Sequence, residues 1–312
     1  MITDYSFIRY LSAKKTVDDR ALNRNVLDAF VRALPSATPE SPLRVLEVGA
    51  GIGTMIERLL IHDVLGYATY TAIDANAATF SELNRRLPNW AKEHGFTVDI
   101  LSSQDTALRR MRLSRSAQNV VVESHTIDVF DLITDEHYHQ SWDVLIAHAV
   151  LDLLDVPRTL PQLLSMLRSG GLFYFTINYD GATIFEPMID REFDAEIERL
   201  YHQTMDERIT NGIRSGDSRT GRHLFHWLRQ NDVDVIAAGS SDWVVFGGAQ
   251  GYPGDEAYFL HFIVETVRSA LEQHPTMAAQ HDRFLDWIAQ RHRQIDAGTL
   301  VYIAHQLDFV GR

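Results

Sequence analysis

Short apolar runs alternate with segments of helical spacing along the first 178 residues of the chain. Runs that fit buried strands stand at 43–48, 67–73, 119–127, 142–147 and 172–177. Apolar residues spaced three or four positions apart predict helices at 16–34, 54–62, 76–115 and 157–167. The first has Thr16 as its N-cap with Asp18 and Asp19 in its first turn, and the third has candidate breaks near Pro88 and Gly95. Strands that alternate with helices indicate parallel βαβ units, so we expect an α/β sheet that binds ligands at the carboxyl ends of its strands.

After residue 178, strands and helices no longer alternate regularly. Helical spacing predicts helices at 186–209, 223–229, 255–273 and 277–296. Short apolar runs predict further strands at 233–238, 243–246 and 300–304. The segment 211–222 is polar and contains glycine, which predicts a mobile loop.

The most informative segment is the stretch E-V-G-A-G-I-G at 47–53, which joins the first strand to a helix. Its glycines let a ligand approach the backbone where a Cβ would intrude. Two cofactor classes use such a turn. One is a dinucleotide, which needs the spacing G-x-G-x-x-G and rests its pyrophosphate on the helix N-terminus. Here Thr54 stands where the last of those glycines would fall.

The same stretch resembles the first motif of class I S-adenosylmethionine-dependent methyltransferases, whose loop wraps the amino-acid end of a cofactor without phosphate. The resemblance covers 43–178 well and the closing strands at 233–246 and 300–311 more loosely. It implies a Rossmann-like α/β fold with a seven-stranded, mostly parallel sheet, helices on both faces and helical lid insertions. The implied organisation is an N-terminal helical cap (1–42), an S-adenosylmethionine-binding core (43–178), a helical and loop insert on the substrate side (179–232) and closing strands (233–312) with a helical insert at about 247–297.

The resemblance also implies which residues hold the cofactor. Glu47 would support the methionine amine, and Asp74, which ends the second strand, would accept hydrogen bonds from both ribose hydroxyls. Asp128 would accept from the adenine amino group, beside the backbone amide of Val129. An acidic residue at the position of Asp74 serves NAD equally well, so it indicates an adenosine ribose without choosing the cofactor. The complete expected set is Glu47, Gly49, Ala50, Gly51, Gly53, Asp74, Ala75, Asp128, Val129 and His148.

His148 follows the fourth strand, where the family often places residues that face the transferred methyl group. Its ordinary pKa near 6.5 makes it the best candidate for a general base, although a structural histidine beside the cofactor is an equal alternative. The acceptor substrate is expected near Asn178, Tyr179, Tyr201, Arg222 and Trp243. Near the N-terminus, aromatic residues beside Lys14 and Lys15 are candidates for closing over the cofactor: Tyr5, Phe7 and Tyr10.

The composition of the chain limits the classes of substrate and ligand that we expect. With 29 basic against 42 acidic residues and a net charge of −13, a nucleic-acid substrate is disfavoured. We expect the local basic cluster (Arg109, Arg110, Arg112 and Arg115) to be a solvated helix face. Cysteine is absent, and no histidine stands at a recognisable metal-ligand spacing, the candidates being His137, His139, His202, His223 and His226. No signal peptide and no apolar run of about 18 residues is found, so a soluble cytoplasmic protein with a small-molecule substrate is expected.

Three alternatives stay open at this level. An NAD-dependent oxidoreductase would share the glycine turn and Asp74. A cofactor-binding protein that has lost catalysis would serve as a sensor or partner subunit. A protein or tRNA methyltransferase would share the whole core, although the acidic charge weighs against tRNA. The acceptor atom is left open, as is the choice between a monomer and a homodimer.

Overall fold

The five apolar runs expected as strands form the centre of one sheet in this computed structural model, which describes residues 5–102, 108–135, 138–210 and 212–312. In chain order, the strands are β1 (Leu43–Val48), β2 (Tyr67–Asp74), β3 (Thr97–Leu101), β4 (Leu108–Arg115), β5 (Gln118–Thr126), β6 (Trp142–His148), β7 (Leu167–Glu186), β8 (Ile209–Thr210), β9 (Ile213–Arg214), β10 (Val235–Ser240), β11 (Trp243–Phe246) and β12 (Val301–Gly311). The α-helices are α1 (Phe7–Ala21), α2 (Arg24–Ala33), α3 (Thr54–Ile61), α4 (Ala77–Glu93), α5 (Val129–Ile133), α6 (Val156–Ser165), α7 (Arg191–Asp206), α8 (Thr220–Gln230), α9 (Glu256–Leu271), α10 (Pro275–Ala278) and α11 (His281–Asp296), with a 3-10 turn at Leu151–Leu153.

The main sheet has the order β10-β12-β7-β6-β1-β2-β5-β4-β3, and β11 pairs with β12. Its centre, β7-β6-β1-β2-β5, is parallel, while β12 and β10 close one side in antiparallel pairing. The predicted Rossmann-like fold class is therefore confirmed. The expected count of seven strands is too low, because the sheet has ten. The hairpin β3–β4 extends the β5 edge, and β11 adds a further strand beside β12.

Helices cover both faces of this sheet, as the alternating pattern predicts. On one face α3 and α4 contribute Leu59 and Leu83 to an apolar cluster with β1 and β2. On the same face, Phe30 of α2 stacks on Tyr174 of β7 at 4.6 Å. On the other face α5, α6 and α8 contribute Leu132, Leu160 and Leu224.

The predicted helix at 76–115 is wrong beyond its first half. Helix α4 ends at Glu93, and Gly95 turns the chain with a φ of 81°. In β4 the buried Met111 and Leu113 alternate with arginines, which is the two-residue period of a strand. The basic cluster therefore lies on a strand and not on a helix, and Arg110 pairs with Glu123 of β5 at 2.9 Å.

The predicted helix at 16–34 is two helices. The hydroxyl of Ser6 accepts from the backbone N–H of Arg9 at the start of α1, and the Asn23 side chain accepts from that of Val26 at the start of α2. Thr16, expected to be an N-cap, lies inside α1 and donates to Glu256 of α9 at 2.7 Å. Helix α1 therefore begins nine residues earlier than expected, at Phe7 instead of Thr16.

Strands β7 and β12 are 20 and 11 residues long and extend beyond the other strands. Their paired extension, which includes Ile184 opposite Ile303, carries a third apolar cluster built with α1, α7, α9 and α11. The segment 211–222, expected as a loop, contains β9 and the start of α8, and its first residue, Asn211, lies outside the described residues.

Candidate functional site

The glycine turn follows β1 and leads into α3. Gly49, Gly51 and Gly53 have positive φ angles of 69°, 54° and 84°, a region that residues with a side chain rarely adopt. A Cβ on Gly49 would lie 2.8 Å from Cγ2 of Val150, so this position is closed to larger residues on steric grounds as well. Gly53 is the N-cap of α3.

A cavity of about 700 Å³ opens at the carboxyl ends of β1, β2 and β5. A smaller cavity of about 140 Å³ continues from it above the glycine turn. The two share five lining residues: Phe7, Gly49, Asp74, Val150 and Leu153. We refer to them together as the cofactor cavity, since this edge of a parallel sheet is where α/β folds bind ligands.

Asp74 sits where the two parts of the cofactor cavity meet. Its Oδ2 accepts from the backbone N–H of Gly51 at 2.9 Å, and its Oδ1 accepts from the backbone N–H of Asn76 and lies beside the hydroxyl of Thr79, both at 2.8 Å. A carboxylate offers about four lone-pair positions. Asp74 therefore fixes the shape of the glycine turn and keeps acceptor capacity for a ligand hydroxyl.

Asp128 lies at the far end of the cofactor cavity, with Val129 and Ala75. Its Oδ1 caps α5 by accepting from the backbone N–H of Phe130 at 2.9 Å. The backbone N–H of Val129, in the first turn of α5, has no partner within its helix. This pairing of an acceptor with a neighbouring donor fits the hydrogen-bonding edge of adenine.

Glu47 lies beneath the glycine turn. It is buried and accepts a hydrogen bond from the hydroxyl of Tyr70 at 2.8 Å. Burial raises the pKa of Glu47 to about 7, against the hydrogen bond from Tyr70, which lowers it. Glu47 is not among the described residues that line the cofactor cavity. Its position is therefore that of a residue that supports the glycine turn from beneath.

His148 lines the smaller part of the cofactor cavity, but both of its ring nitrogens are engaged. Nδ1 lies 2.8 Å from the hydroxyl of Thr176, and Nε2 lies 3.1 Å from Oδ2 of Asp18 and 3.2 Å from Nη1 of Arg58. Burial lowers the pKa of His148 to about 4, although Asp18 acts to raise it. The ring is therefore neutral at pH 7, and its contacts favour the structural alternative over a general base.

Asp18 is the centre of this network. It is 1% exposed and joins Lys14 at 3.0 Å, the indole N–H of Trp243 at 2.9 Å, His148 and Arg58. Burial alone would raise the pKa of Asp18, but Lys14, then His148 and Arg58, hold it well below its ordinary value. The network fixes α1 over the glycine turn, so that Phe7, Leu11 and Lys14 line the cofactor cavity.

Comparison with known proteins identifies the family. A model of the methyltransferase-domain family matches residues 19–238, well over half of the 312-residue chain. The chain belongs to this methyltransferase family. The resemblance read from the glycine motif is thereby confirmed. Comparison with the curated proteins gave no match.

Solved structures that resemble this methyltransferase are distant. A putative type II methyltransferase from Anaeromyxobacter dehalogenans is 15% identical, with a TM-score of 0.45 over 93% of this chain and 96% of that one. A putative sarcosine dimethylglycine methyltransferase from Galdieria sulphuraria is 13% identical, with a TM-score of 0.42 over 94% and 85%. A geranyl diphosphate C-methyltransferase from Streptomyces coelicolor A3(2) is 10% identical, with a TM-score of 0.41 over 92% and 80%.

The structure of this methyltransferase does not bring the five expected substrate residues together. Trp243 donates to Asp18, and Asn178 donates to the backbone carbonyl of Leu307 at 2.8 Å. Arg222 donates to Asp180 at 2.9 Å and is not among the residues that line the cofactor cavity. Neither Tyr179 nor Tyr201 is among the residues that line the cofactor cavity. The hydroxyl of Tyr179 lies 2.6 Å from the Thr183 hydroxyl and 2.6 Å from Nε2 of His202. Tyr201 lines a separate cavity of about 260 Å³ between β7, α7 and α11.

The described ranges contain no cluster of three or more histidine, aspartate or glutamate side chains that could hold a metal ion. Of the histidines considered for metal binding, His137 lies outside the described residues. Among the helices described, none is both long and apolar enough to cross a membrane.

Asp18 and Arg58 are residues of this site to which the sequence pattern assigns no role there, whereas Lys14 is named only as a neighbour of the N-terminal aromatic residues. The available signal was the pair of i, i+4 contacts on α1, Lys14–Asp18 and Lys15–Asp19. Because the helix was expected to begin at Thr16, Asp18 and Asp19 were interpreted as acidic residues of its first turn.

Proposed function

We propose that this chain is an active methyltransferase that transfers the methyl group of S-adenosylmethionine to a small-molecule acceptor. The supporting observation is the order of groups along the cofactor cavity: the glycine turn and Lys14, then Asp74, then Asp128 with Val129. The amino-acid end, ribose and adenine of S-adenosylmethionine require these groups in this order.

The residues fit this cofactor in three places. At the amino-acid end, the absence of a Cβ on Gly49 and Gly51 leaves the backbone accessible, and Lys14 supplies a positive charge toward a carboxylate. At the ribose, Asp74 retains acceptor capacity beyond its contacts with the turn. At the adenine, Asp128 and the backbone N–H of Val129 supply an acceptor and a donor.

S-adenosylmethionine supplies an electrophilic methyl group on a sulfonium, and its displacement is in line. The chain's own residues align the reactants and exclude water, which is a large part of what such a transfer needs. Phe7, Leu11, Val150 and Leu153 give the cavity apolar walls on both sides of the glycine turn. Neutral His148 connects α1 to β6, and this proposal assigns it no proton transfer.

The acidic net charge of −13 supports a small-molecule acceptor over a nucleic acid. Three further assignments are part of this proposal: the protein is an active methyltransferase, it is cytoplasmic, and it is either a monomer or a homodimer. So do the domain boundaries at residues 42, 178 and 232, which follow the cap, core and insert division predicted from the sequence.

Parallel calorimetric titrations with S-adenosylmethionine, S-adenosylhomocysteine and NAD test the proposal. We expect micromolar binding of the two adenosyl ligands and no heat from NAD. Binding of NAD alone would establish the oxidoreductase alternative instead. Binding of the adenosyl ligands without methyl transfer to any acceptor would favour a sensor or partner subunit.

The substitution Asp74→Ala tests the ribose contact. We expect S-adenosylmethionine to bind about ten- to a hundredfold more weakly, the loss of a hydrogen bond to a charged group being worth about 1.5–3 kcal/mol. Asp99→Ala is the matched control, because Asp99 is an exposed aspartate on the outer strand β3. Equal affinities for the two variants would remove Asp74 from the cofactor site.

A further inference from the structure

Strand β7 contains a β-bulge beside the end of β6. Its register against β12 shifts by one residue between two paired positions, Phe175 with Phe309 and Asn178 with Leu307. Two residues of β7, Thr176 and Ile177, therefore oppose the single residue Asp308 of β12, which is the arrangement of a β-bulge. Thr176 also pairs with His148, the last residue of β6. Bulges are frequent next to active sites, where they redirect the chain.

Ile177 is strained at this bulge. Its φ is 56°, a left-handed conformation that a bulge ordinarily gives to glycine, which has no Cβ. For a β-branched residue such a φ is unfavourable. The Ile177 side chain is buried in the apolar cluster that includes Ala13 and Val17 of α1. Strained conformations persist only where the surroundings hold them, so other contacts must fix Ile177.

Asp308 supplies the contact that holds Ile177. Asp308 is 0% exposed, and its Oδ1 accepts from the backbone N–H of Ile177 at 2.7 Å. Its Oδ2 accepts from the backbone N–H of Asn23, the N-cap of α2, at 2.8 Å. Burial raises the pKa of Asp308 to about 6, so the group is a carboxylate at pH 8. A hydrogen bond to a carboxylate is about twice as strong as one between neutral groups, so Asp308 anchors the bulge firmly.

One peptide group joins Asp308 to the wall of the cofactor cavity. The N–H of Ile177 and the carbonyl of Thr176 belong to the same planar unit, so the orientation of one fixes that of the other. That carbonyl accepts from the backbone N–H of Ala149 at 2.8 Å. The Thr176 hydroxyl lies 2.8 Å from Nδ1 of His148. Ala149 and His148 both line the part of the cofactor cavity above the glycine turn, and Ala149 is itself strained, with a φ of 54°.

Rotation of this peptide group is the motion that would relieve Ile177. Turning it over brings the φ of Ile177 to a negative value, which is the favoured region for this residue. The same rotation points the carbonyl of Thr176 away from Ala149, which then loses the acceptor of its N–H. The next residue, Val150, lines both parts of the cofactor cavity and would be free to shift with it. Asp308 opposes the rotation because it holds the N–H of the same group.

We propose that Asp308 is a positioning residue of the S-adenosylmethionine site, where it holds the peptide group between Thr176 and Ile177 and thereby fixes the wall at residues 148–150. This inference rests on the proposed function, because it assigns Asp308 to that cofactor site. Asp308 is not among the described residues that line the cofactor cavity, so it acts through the peptide group and not by contact with the cofactor.

Asp308→Ala removes the anchor. We expect S-adenosylhomocysteine to bind at least tenfold more weakly to this variant in calorimetric titrations at pH 8. Asp143→Ala is the matched control, because Asp143 is also buried on a strand and accepts from a backbone N–H, that of Arg44, at 2.7 Å. Asp143 stands at the amino end of β6, away from the cofactor cavity. Both variants should have lower melting temperatures, and Asp143→Ala should keep its affinity within twofold of the wild-type value.

The substitution Ile177→Gly separates a positioning role from a merely structural one. Glycine adopts positive φ without strain, so nothing then drives the peptide group to rotate when Asp308 is missing. We expect the double variant Asp308→Ala/Ile177→Gly to bind S-adenosylhomocysteine within threefold of the wild-type affinity, although its melting temperature stays low. A merely structural role predicts the opposite, because loss of the buried Ile177 side chain would add to the damage.

Hydrogen exchange at the Ala149 amide reports on the same peptide group without any ligand. Its protection, relative to that of Leu46 in the central strand β1, should fall at least tenfold in Asp308→Ala and return in the double variant. Asp143→Ala should leave this ratio unchanged. Where Asp308→Ala does not fold, Asp308→Asn replaces it, since one amide oxygen serves only one of the two N–H groups. We then expect at least threefold weaker binding of S-adenosylhomocysteine, restored by Ile177→Gly.

The other outcomes contradict the inference in distinct ways. Normal S-adenosylhomocysteine affinity or normal Ala149 protection in Asp308→Ala would overturn it and leave the proposed function standing. Equal losses of affinity in Asp308→Ala and Asp143→Ala would do the same, as would a double variant that binds no better than Asp308→Ala. Failure of the wild-type protein to bind S-adenosylhomocysteine would count against the proposed function itself, and the inference would fall with it.

Discussion

The cofactor cavity and the cavity of about 260 Å³ are built on opposite principles. In the cofactor cavity, side chains fix the backbone of the turns: Asp74 accepts from Gly51, and Asp128 caps α5. The other cavity is walled by large side chains of β7 and α11, where the rings of Phe185 and Trp287 meet edge to face at 5.7 Å. One region is thus preorganised by its backbone, and the other is shaped by side-chain packing.

Asp18 joins the two regions. Through Lys14 and His148 it reaches the cofactor cavity, and through Trp243 it reaches the apolar cluster that also contains Phe185 and Trp287. Substitutions can therefore test the comparison at this junction, on the cofactor side and at His148, in decreasing order of expected effect.

Asp18→Ala should have the largest effect, because it leaves Lys14 buried without its counter-charge. It also removes one of the two carboxylates paired with Arg58, the other being that of Asp19. We expect the free energy of unfolding, measured by urea denaturation, to fall by about 3–5 kcal/mol, the usual cost of breaking a buried ion pair. Binding of the adenosyl cofactor and of the acceptor should weaken together. The control is Asp255→Ala, which removes an exposed ion pair between Arg9 of α1 and α9. Such pairs contribute about 0–1 kcal/mol, and an equal loss in both variants would show that Asp18 is not the junction.

Gly49→Ala should damage the cofactor side alone. A φ of 69° and a contact of 2.8 Å with Val150 give an expected loss of about 1–3 kcal/mol in stability. We expect at least a tenfold loss in S-adenosylmethionine affinity by calorimetry, because the turn must shift. Gly170→Ala is matched in φ, at 74°, but its Cβ would meet nothing within 4 Å and lies outside the cofactor cavity. A variant at Gly49 that binds cofactor normally would contradict the assigned role of the turn.

The contrast between the two regions explains what the sequence could reveal. Glu47, Asp74 and Asp128 each end or follow a predicted strand, so parallel pairing alone predicts that they lie at one edge. Local sequence patterns also predict the methyltransferase resemblance and the Rossmann-like fold class, and both predictions are confirmed. The individual cofactor contacts stay predictions.

The cavity of about 260 Å³ could not be predicted in this way. Phe185, Tyr201 and Trp287 come from three elements, and no periodicity links them. Their meeting depends on the length of β7, which the pattern ends at residue 177 and the structure extends to Glu186. The strands β3 and β4 were missed because helical spacing on either side of Gly95 outweighed the alternation around Met111.

His148 offers the smallest effect and tests how the two regions are joined. Its folded pKa of about 4 lies below its ordinary value of 6.5, so the unfolded chain binds the proton more readily. The stability that neutral His148 contributes is therefore present above about pH 6.5 and lost as the pH falls toward about 4. We expect the stability advantage of the wild-type protein over His148→Gln to shrink by about 1–2 kcal/mol between pH 7 and pH 5.

The comparison with His148→Gln isolates this contribution, because Glu47, whose pKa is raised by burial, changes stability in the opposite direction over the same range and does so in both proteins. His139→Gln is the control at an exposed histidine, and its free energy of unfolding at pH 7 should equal that of the wild-type protein. An NMR titration supplies the direct measurement: the His148 ring should stay neutral down to about pH 5. A measured pKa above 6 would contradict the structural interpretation of His148. It would support the general-base alternative instead, because a general base must take up a proton near neutral pH.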